Sequence, residues 1–220
     1  MSSPLTHPYS FSDASDADDQ LVPRDDLRRR MRALRRAVTA SQQREVAKQL
    51  ARWISRTRFL HAGSRVGVYL PRGREADLSL AMDLALARGC RLYVPHVTHL
   101  RRRRMEFVEF NASLQLRENA FGILEPRAPH TARIPVRHLD LILLPLVAVD
   151  SRGWRLGSGA GFYDRRLSHL REPRRWRRPK LIGVGYEFQR VHRLEPSRWD
   201  VPVEGLITEH GYHPLQPWPV

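Results

Sequence analysis

Apolar residues recur along the first ordered-looking part of the chain at Leu27, Met31, Leu34 and Val38, with arginines filling the positions between them. That spacing puts the four apolar side chains on one face and predicts an amphipathic helix beginning at Arg24. Thr39 or Ser41 is the expected N-cap of a second helix, whose buried face carries Val46, Leu50, Trp53 and Ile54. The period then changes. Arg65 to Leu70 reads as a strand stopped by Pro71, and Arg72 to Ala76 as a loop. Asp77 is the expected cap of a third helix, with Leu78, Ala81, Leu84 and Ala85 facing inward and Gly89 ending it. Arg91 to Val94, closed by Pro95, reads as the next strand. A strand, a helix and a strand in this order build a parallel sheet.

Met105 to Phe110 alternates as a short strand. Leu139 to Val149 is the most apolar stretch, and its composition predicts a central strand buried on both faces, running out at Pro145. A helix from about Gly161 to Leu170 follows, then strands over Lys180 to Tyr186 and Gly205 to Thr208. There is no internal repeat. The expected fold is a single α/β domain, a mostly parallel sheet with helices on both faces. Its expected extent is residues 23–212, between a disordered tail over 1–22, rich in Ser, Asp, Pro and Thr, and a short tail over 213–220.

Composition changes this picture in three places. The 220 residues, 41% hydrophobic, suit one globular domain. No apolar run approaches the roughly 20 residues that span a bilayer, and the N-terminus lacks the pattern of a secretory signal, so a cytoplasmic protein is expected. One cysteine, Cys90, excludes an internal disulfide and a cysteine-rich zinc site; it reads as a small buried residue at a helix end. The ten histidines show no metal spacing. The net charge of +15 points to an anionic partner. Much of the charge lies in the first helix, where a solvated face is the ordinary explanation, in the run Arg101–Arg104, and in the cluster Arg171–Arg178 with Trp176 inside it. Both clusters read as surface loops, and a nucleic-acid contact is the alternative.

Arg155-Leu156-Gly157-Ser158-Gly159-Ala160-Gly161-Phe162-Tyr163-Asp164 follows the buried strand and opens a helix. Alternating glycines let the backbone approach a ligand, and successive N–H groups cradle an anion. Arg155 adds a cation, and the Asp164 carboxylate suits magnesium shared with phosphate oxygens. The glycine spacing matches neither the dinucleotide fingerprint nor a Walker A loop. Taken alone, the segment leaves a phosphate cradle and a plain tight turn both open.

A wider set of motifs resembles one family. Leu144-Pro145-Leu146-Val147-Ala148-Val149-Asp150, then Gly153, Arg155-Leu156-Gly157, Gly159 and Gly161-Phe162-Tyr163-Asp164 resemble the signature of 5-formyltetrahydrofolate cyclo-ligases. Arg24-Asp25-Asp26-Leu27-Arg28, Tyr69-Leu70-Pro71 with Glu75 and Asp77, Gly122-Ile123 with Glu125-Pro126, Gln189, Trp199-Asp200-Val201-Pro202 and Ile207-Thr208 occur in that family's order over roughly residues 24 to 210. The resemblance implies an enzyme using ATP and Mg2+ to convert 5-formyltetrahydrofolate, with or without a polyglutamate tail, to 5,10-methenyltetrahydrofolate through a phosphorylated formyl group. It implies that Arg24, Arg28 and the segment Arg155–Tyr163 bind ATP, that Arg155 and Tyr163 serve catalysis, that Leu70 and Glu75 bind folate, and that Asp164 and Asp200 hold magnesium. Ala160 stands where the family usually has glycine or lysine. A monomer is expected. A basic nucleic-acid-binding protein, a relative with a changed substrate and a non-catalytic scaffold are the alternatives.

Overall fold

The computed structural model describes residues 22–111, 116–118, 124–126, 133–170 and 179–215. The tail expected over 1–22 (Val22 apart), the Gly122-Ile123 pair and the cluster Arg171–Arg178 lie outside the described residues. The chain opens with helices α1 (Arg24–Ala37) and α2 (Ala40–Arg56), then runs through β1 (Arg65–Gly67), α3 (Ser79–Ala87), β2 (Arg91–His99), β3 (Arg104–Phe110), β4 (Leu116–Glu118), β5 (Leu124–Pro126) and β6 (Arg133–Ile134). It continues through β7 (Leu141–Pro145), β8 (Ala148–Asp150), β9 (Arg155–Leu156), α4 (Phe162–Leu167), β10 (Lys180–Val184), β11 (Arg190–Val191), β12 (Gly205–Thr208) and β13 (Gly211–Pro214).

Eight strands form the main sheet in the order β13-β12-β10-β7-β1-β2-β3-β6. The five from β12 to β2 are parallel, and β13, β3 and β6 are antiparallel additions. The strand β7 is buried on both faces because its neighbours cover both. Leu141 and Leu143 face a core shared with α1, α2 and α3. Ile142 and Leu144 face a second core with Phe162, Leu167 and Leu170, from α4 and the 3-10 turn after it. The α/β class and the helices on both faces are as the sequence led us to expect. Among the described residues no helix is long and apolar enough to cross a membrane.

Local differences have local causes. Thr39 caps α2: its side chain accepts from the Gln42 N–H while the Gln42 side chain accepts from the Thr39 N–H. Asp77 is not the cap of α3. Its carboxylate captures the Ser79 N–H and hydroxyl at 2.8 and 2.7 Å, which delays the helix. Leu84 lies 41% exposed, and Met82 replaces it on the inner face, because Leu78, Ala81, Met82 and Ala85 form the regular stripe. β13 crosses the boundary expected at residue 212, adding an antiparallel edge to β12.

Candidate active site

The order of the sheet reverses between β1 and β7. The chain leaves β1 toward β2 on one side and returns as β7 on the other. In open parallel sheets such a reversal opens a crevice at the carboxyl ends of the two strands. Leu70 and Glu75 lie on the connection leaving β1, and the glycine segment lies on the connection leaving β7. Two regions singled out from sequence thus leave neighbouring strands at one crevice.

The glycine segment is delivered by the β8–β9 hairpin. Asp150, fully buried, accepts from the Arg152, Trp154 and Leu194 N–H groups and from the Arg152 guanidinium. Gly153 turns with φ of 83°, and any Cβ there would collide with the Val203 carbonyl. Leu156 and Phe162 are buried in opposite cores, so their side chains pin the two ends of the segment. Between them the backbone is free to bend: Gly159 and Gly161 have φ of 103° and 68°. The carbonyls of Gly157 and Ser158 turn toward α1, where they accept from Arg28 Nε at 3.0 Å and Arg32 Nη2 at 2.9 Å. Among the described residues, the N–H groups of Gly157 to Gly161 donate to no backbone carbonyl. With its carbonyls occupied on one side, the segment keeps its donors for an anion. Nη1 of Arg103 lies 3.5 Å from the point a Cβ on Gly161 would occupy.

Arg155 is only 3% exposed. Its Nη2 donates to Asp164 at 2.8 Å, and its Nε–H is buried with no hydrogen-bond partner. A buried, unmatched cationic donor is costly, so it marks a place for an acceptor. Arg24 pairs with Asp200 at 2.8 Å and also donates to Ser197 Oγ and the Glu195 carbonyl. The structure therefore gives each expected magnesium ligand to a different arginine. Among the described residues, no three His, Cys, Asp or Glu side chains are grouped to hold a metal.

Glu75 Oε2 accepts the Arg72 N–H at 3.1 Å, and Oε1 lies 3.5 Å from Arg35. Leu70 packs half-buried against the first core. Burial, reinforced by the Glu75 charge, raises the Tyr163 phenol well above its ordinary range against the opposing pull of Arg155. A phenol held up in this way is suited to donate a hydrogen bond and poorly suited to act as a base. Burial likewise pushes Tyr186 up to about 12, opposed by Arg35, and its hydroxyl is buried without a partner. Gln189 is structural. Its amide donates to the Leu146 and Val147 carbonyls and accepts from the Tyr186 N–H, tying two strand ends together.

Sequence reasoning missed Arg32, Arg35, Arg103 and Tyr186. A signal existed for the first two. Arg24, Arg28, Arg32 and Arg35 follow one stripe down α1. The side chains of Arg28 and Arg35 are 18% and 14% exposed, whereas Arg29, off that stripe, is 79% exposed.

A glycine loop gripped by arginines at the switch point of a parallel sheet defines an α/β protein with a site suited to an anion. Comparison with known proteins narrows the class. The profile of the 5-formyltetrahydrofolate cyclo-ligase family matches residues 21–209, and the chain belongs to that family. It is 31% identical over 180 residues to the 5-formyltetrahydrofolate cyclo-ligase of Escherichia coli K12, covering 81% of this chain and 96% of that one. It is 28% identical over 187 residues to the Haemophilus influenzae cyclo-ligase, covering 84% and 97%. Among solved structures, the 5,10-methenyltetrahydrofolate synthetase of Aquifex aeolicus superposes with a TM-score of 0.74 at 27% identity, covering 90% of this chain and 95% of that one.

Proposed function

We propose that the protein converts 5-formyltetrahydrofolate to 5,10-methenyltetrahydrofolate, consuming ATP with magnesium. The observation that carries this reading is buried Arg155, its Nε–H unmatched, beside a glycine segment whose carbonyls are already held by Arg28 and Arg32. The formyl oxygen attacks the γ-phosphorus of ATP, a P–O bond forms, and the bond to ADP breaks. N10 of the folate then attacks the activated carbon and gives up its proton to the departing phosphate, the C–O bond breaks, and inorganic phosphate leaves. An amide oxygen leaves poorly; phosphorylation makes it a good leaving group. The protein's work is positioning and charge stabilisation.

On this reading the segment Arg155–Tyr163 cradles the triphosphate, Arg24 and Arg28 approach it from α1, and Tyr163 donates a hydrogen bond beside the reacting groups. Glu75 accepts from the pterin amino and ring N–H groups, and Leu70 packs on the ring. Asp164 and Asp200 offer the hard oxygens that magnesium takes, one or two carboxylates besides phosphates, which fits a pair of separate aspartates. The ion would neutralise charge on the phosphates. Arg24, the solvent-reached arginine of the two, would then be released toward those phosphates, while Arg155 would meet them through its unmatched Nε–H. The protein works as a monomer in the cytoplasm, on folates with or without a polyglutamate tail.

The test is to mix purified protein, 5-formyltetrahydrofolate, ATP and magnesium, and to follow the methenyl product by near-ultraviolet absorbance. ATP-dependent product that Arg155→Ala and Asp164→Ala both abolish is expected. Folded wild-type protein that forms none sinks the reading.

A further inference from the structure

The run Arg101–Arg104 lies at the turn between β2 and β3. The Arg103 N–H donates to the Leu100 carbonyl at 3.0 Å, the Arg102 N–H donates to His99 Nδ1 at 3.2 Å, and the strand register shifts between Val97 and His99. A tight hairpin turn of this kind needs one residue in the left-handed conformation, and glycine is its usual occupant. Here the residue is Arg103, with φ of 50°, the only non-glycine residue at positive φ among those described. A side chain at such a position adds backbone strain that glycine avoids.

That side chain is exposed, and its guanidinium has neither a hydrogen bond nor an ion pair among the described residues, unlike the paired Arg24, Arg28 and Arg155. Its Nη1 comes to the glycine segment at Gly161. Arg28 and Arg32 hold the segment's other end at Gly157 and Ser158. Between these arginines Ala160 supplies no charge of its own; it packs against the second core.

We propose that Arg103 is a further phosphate-binding residue of this site, meeting the triphosphate at Gly161 with a guanidinium that is unpaired among the described residues. The left-handed turn then carries a side chain that meets the nucleotide. The proposal rests on the ATP reading above.

The test compares wild type, Arg103→Gly and Arg103→Lys. Arg103→Gly relieves the turn and removes the cation, so its melting temperature should equal or exceed that of wild type. Its KM for ATP should rise by about tenfold, the size expected for one charge-assisted hydrogen bond, while the KM for 5-formyltetrahydrofolate is unchanged. Arg103→Lys should recover part of the loss, and fluorescent-nucleotide titration without folate should show the same order of affinities. If Arg103→Gly keeps the wild-type KM for ATP while wild-type protein binds and turns over ATP, this inference fails and the functional reading stands. A lowered melting temperature with KM values for both substrates raised together would make the residue structural and also overturn it. Wild type that binds no nucleotide would overturn both.

Discussion

Two arginine–aspartate pairs flank the glycine segment, and they are built differently. Arg155–Asp164 lies inside, with side chains 2% and 19% exposed, and both partners sit on the connection that leaves β7. Arg24–Asp200 joins two segments 176 residues apart, with side chains 30% and 9% exposed, so water reaches this pair through its arginine. The N···O distance is 2.8 Å in both, so distance does not distinguish them. Solvent does. A charge pair shielded from water leaves a large desolvation cost behind when one member is lost, while a pair that water reaches is largely replaced by hydration. The inner pair therefore fixes the site, and the outer pair is the one that can exchange its partner for a ligand.

Three experiments break or sharpen that contrast. The largest effect is expected from Arg155→Ala. It leaves Asp164 without its partner and, on the proposed function, removes a cation from the phosphates. Chemical denaturation should show a loss of about 3–5 kcal/mol, and kcat should fall by about a hundred- to a thousandfold. A stability change under about 1 kcal/mol would mean the inner pair is no stronger than the outer one.

Glu187 comes next and separates partners from burial. Burial alone would raise its carboxyl, but hydrogen bonds from His213 and Thr208, together with the Arg190 guanidinium, hold it down at about 2. Its folded value lies below the unfolded value of 4.5, so its contribution is fully present above about pH 4.5 and is lost as pH falls through 2. The shift corresponds to roughly 3 kcal/mol. Glu187→Gln should flatten the acid limb of the stability–pH curve between about pH 4.5 and 2; an unchanged limb would show that its partners contribute nothing.

The smallest effect on stability is expected from Arg24→Ala. Water reaches the place Arg24 leaves, and buried Asp200 keeps its hydrogen bond from the Ser197 N–H, so thermal unfolding should report a change of no more than about 1 kcal/mol. The KM for ATP should nevertheless rise about tenfold. A large stability loss with an unchanged KM would make the outer pair purely structural.

The arrangement of these pairs also shows what each level of information reaches. The helical stripe of α1, the β1–α3–β2 unit and the two-faced strand β7 were legible because each is a local repeat: 3.6 residues for helices, a short apolar run for a strand covered on both sides. Where local signals competed, the sequence pattern misled. Asp77 has a cap residue's chemistry but spends it on Ser79, and Leu84 has a core residue's chemistry but falls off the stripe that meets the sheet.

The glycine segment and its neighbouring Arg155 were visible as chemistry in one stretch of chain, as were Glu75 and both aspartates. Which charge pairs with which was not visible. Arg24 with Asp200 and Arg32 with Ser158 are contacts across 176 and 126 positions, and Arg103 approaches Gly161 from a separate part of the chain. Sequence alone determined the elements, the class of fold and the loop able to take an anion, because hydrophobic period and backbone freedom are properties of neighbouring residues. Tertiary structure alone decided which of the many arginines meet at that loop. A guanidinium's role depends on what desolvates and neutralises it, and those groups come from distant parts of the chain.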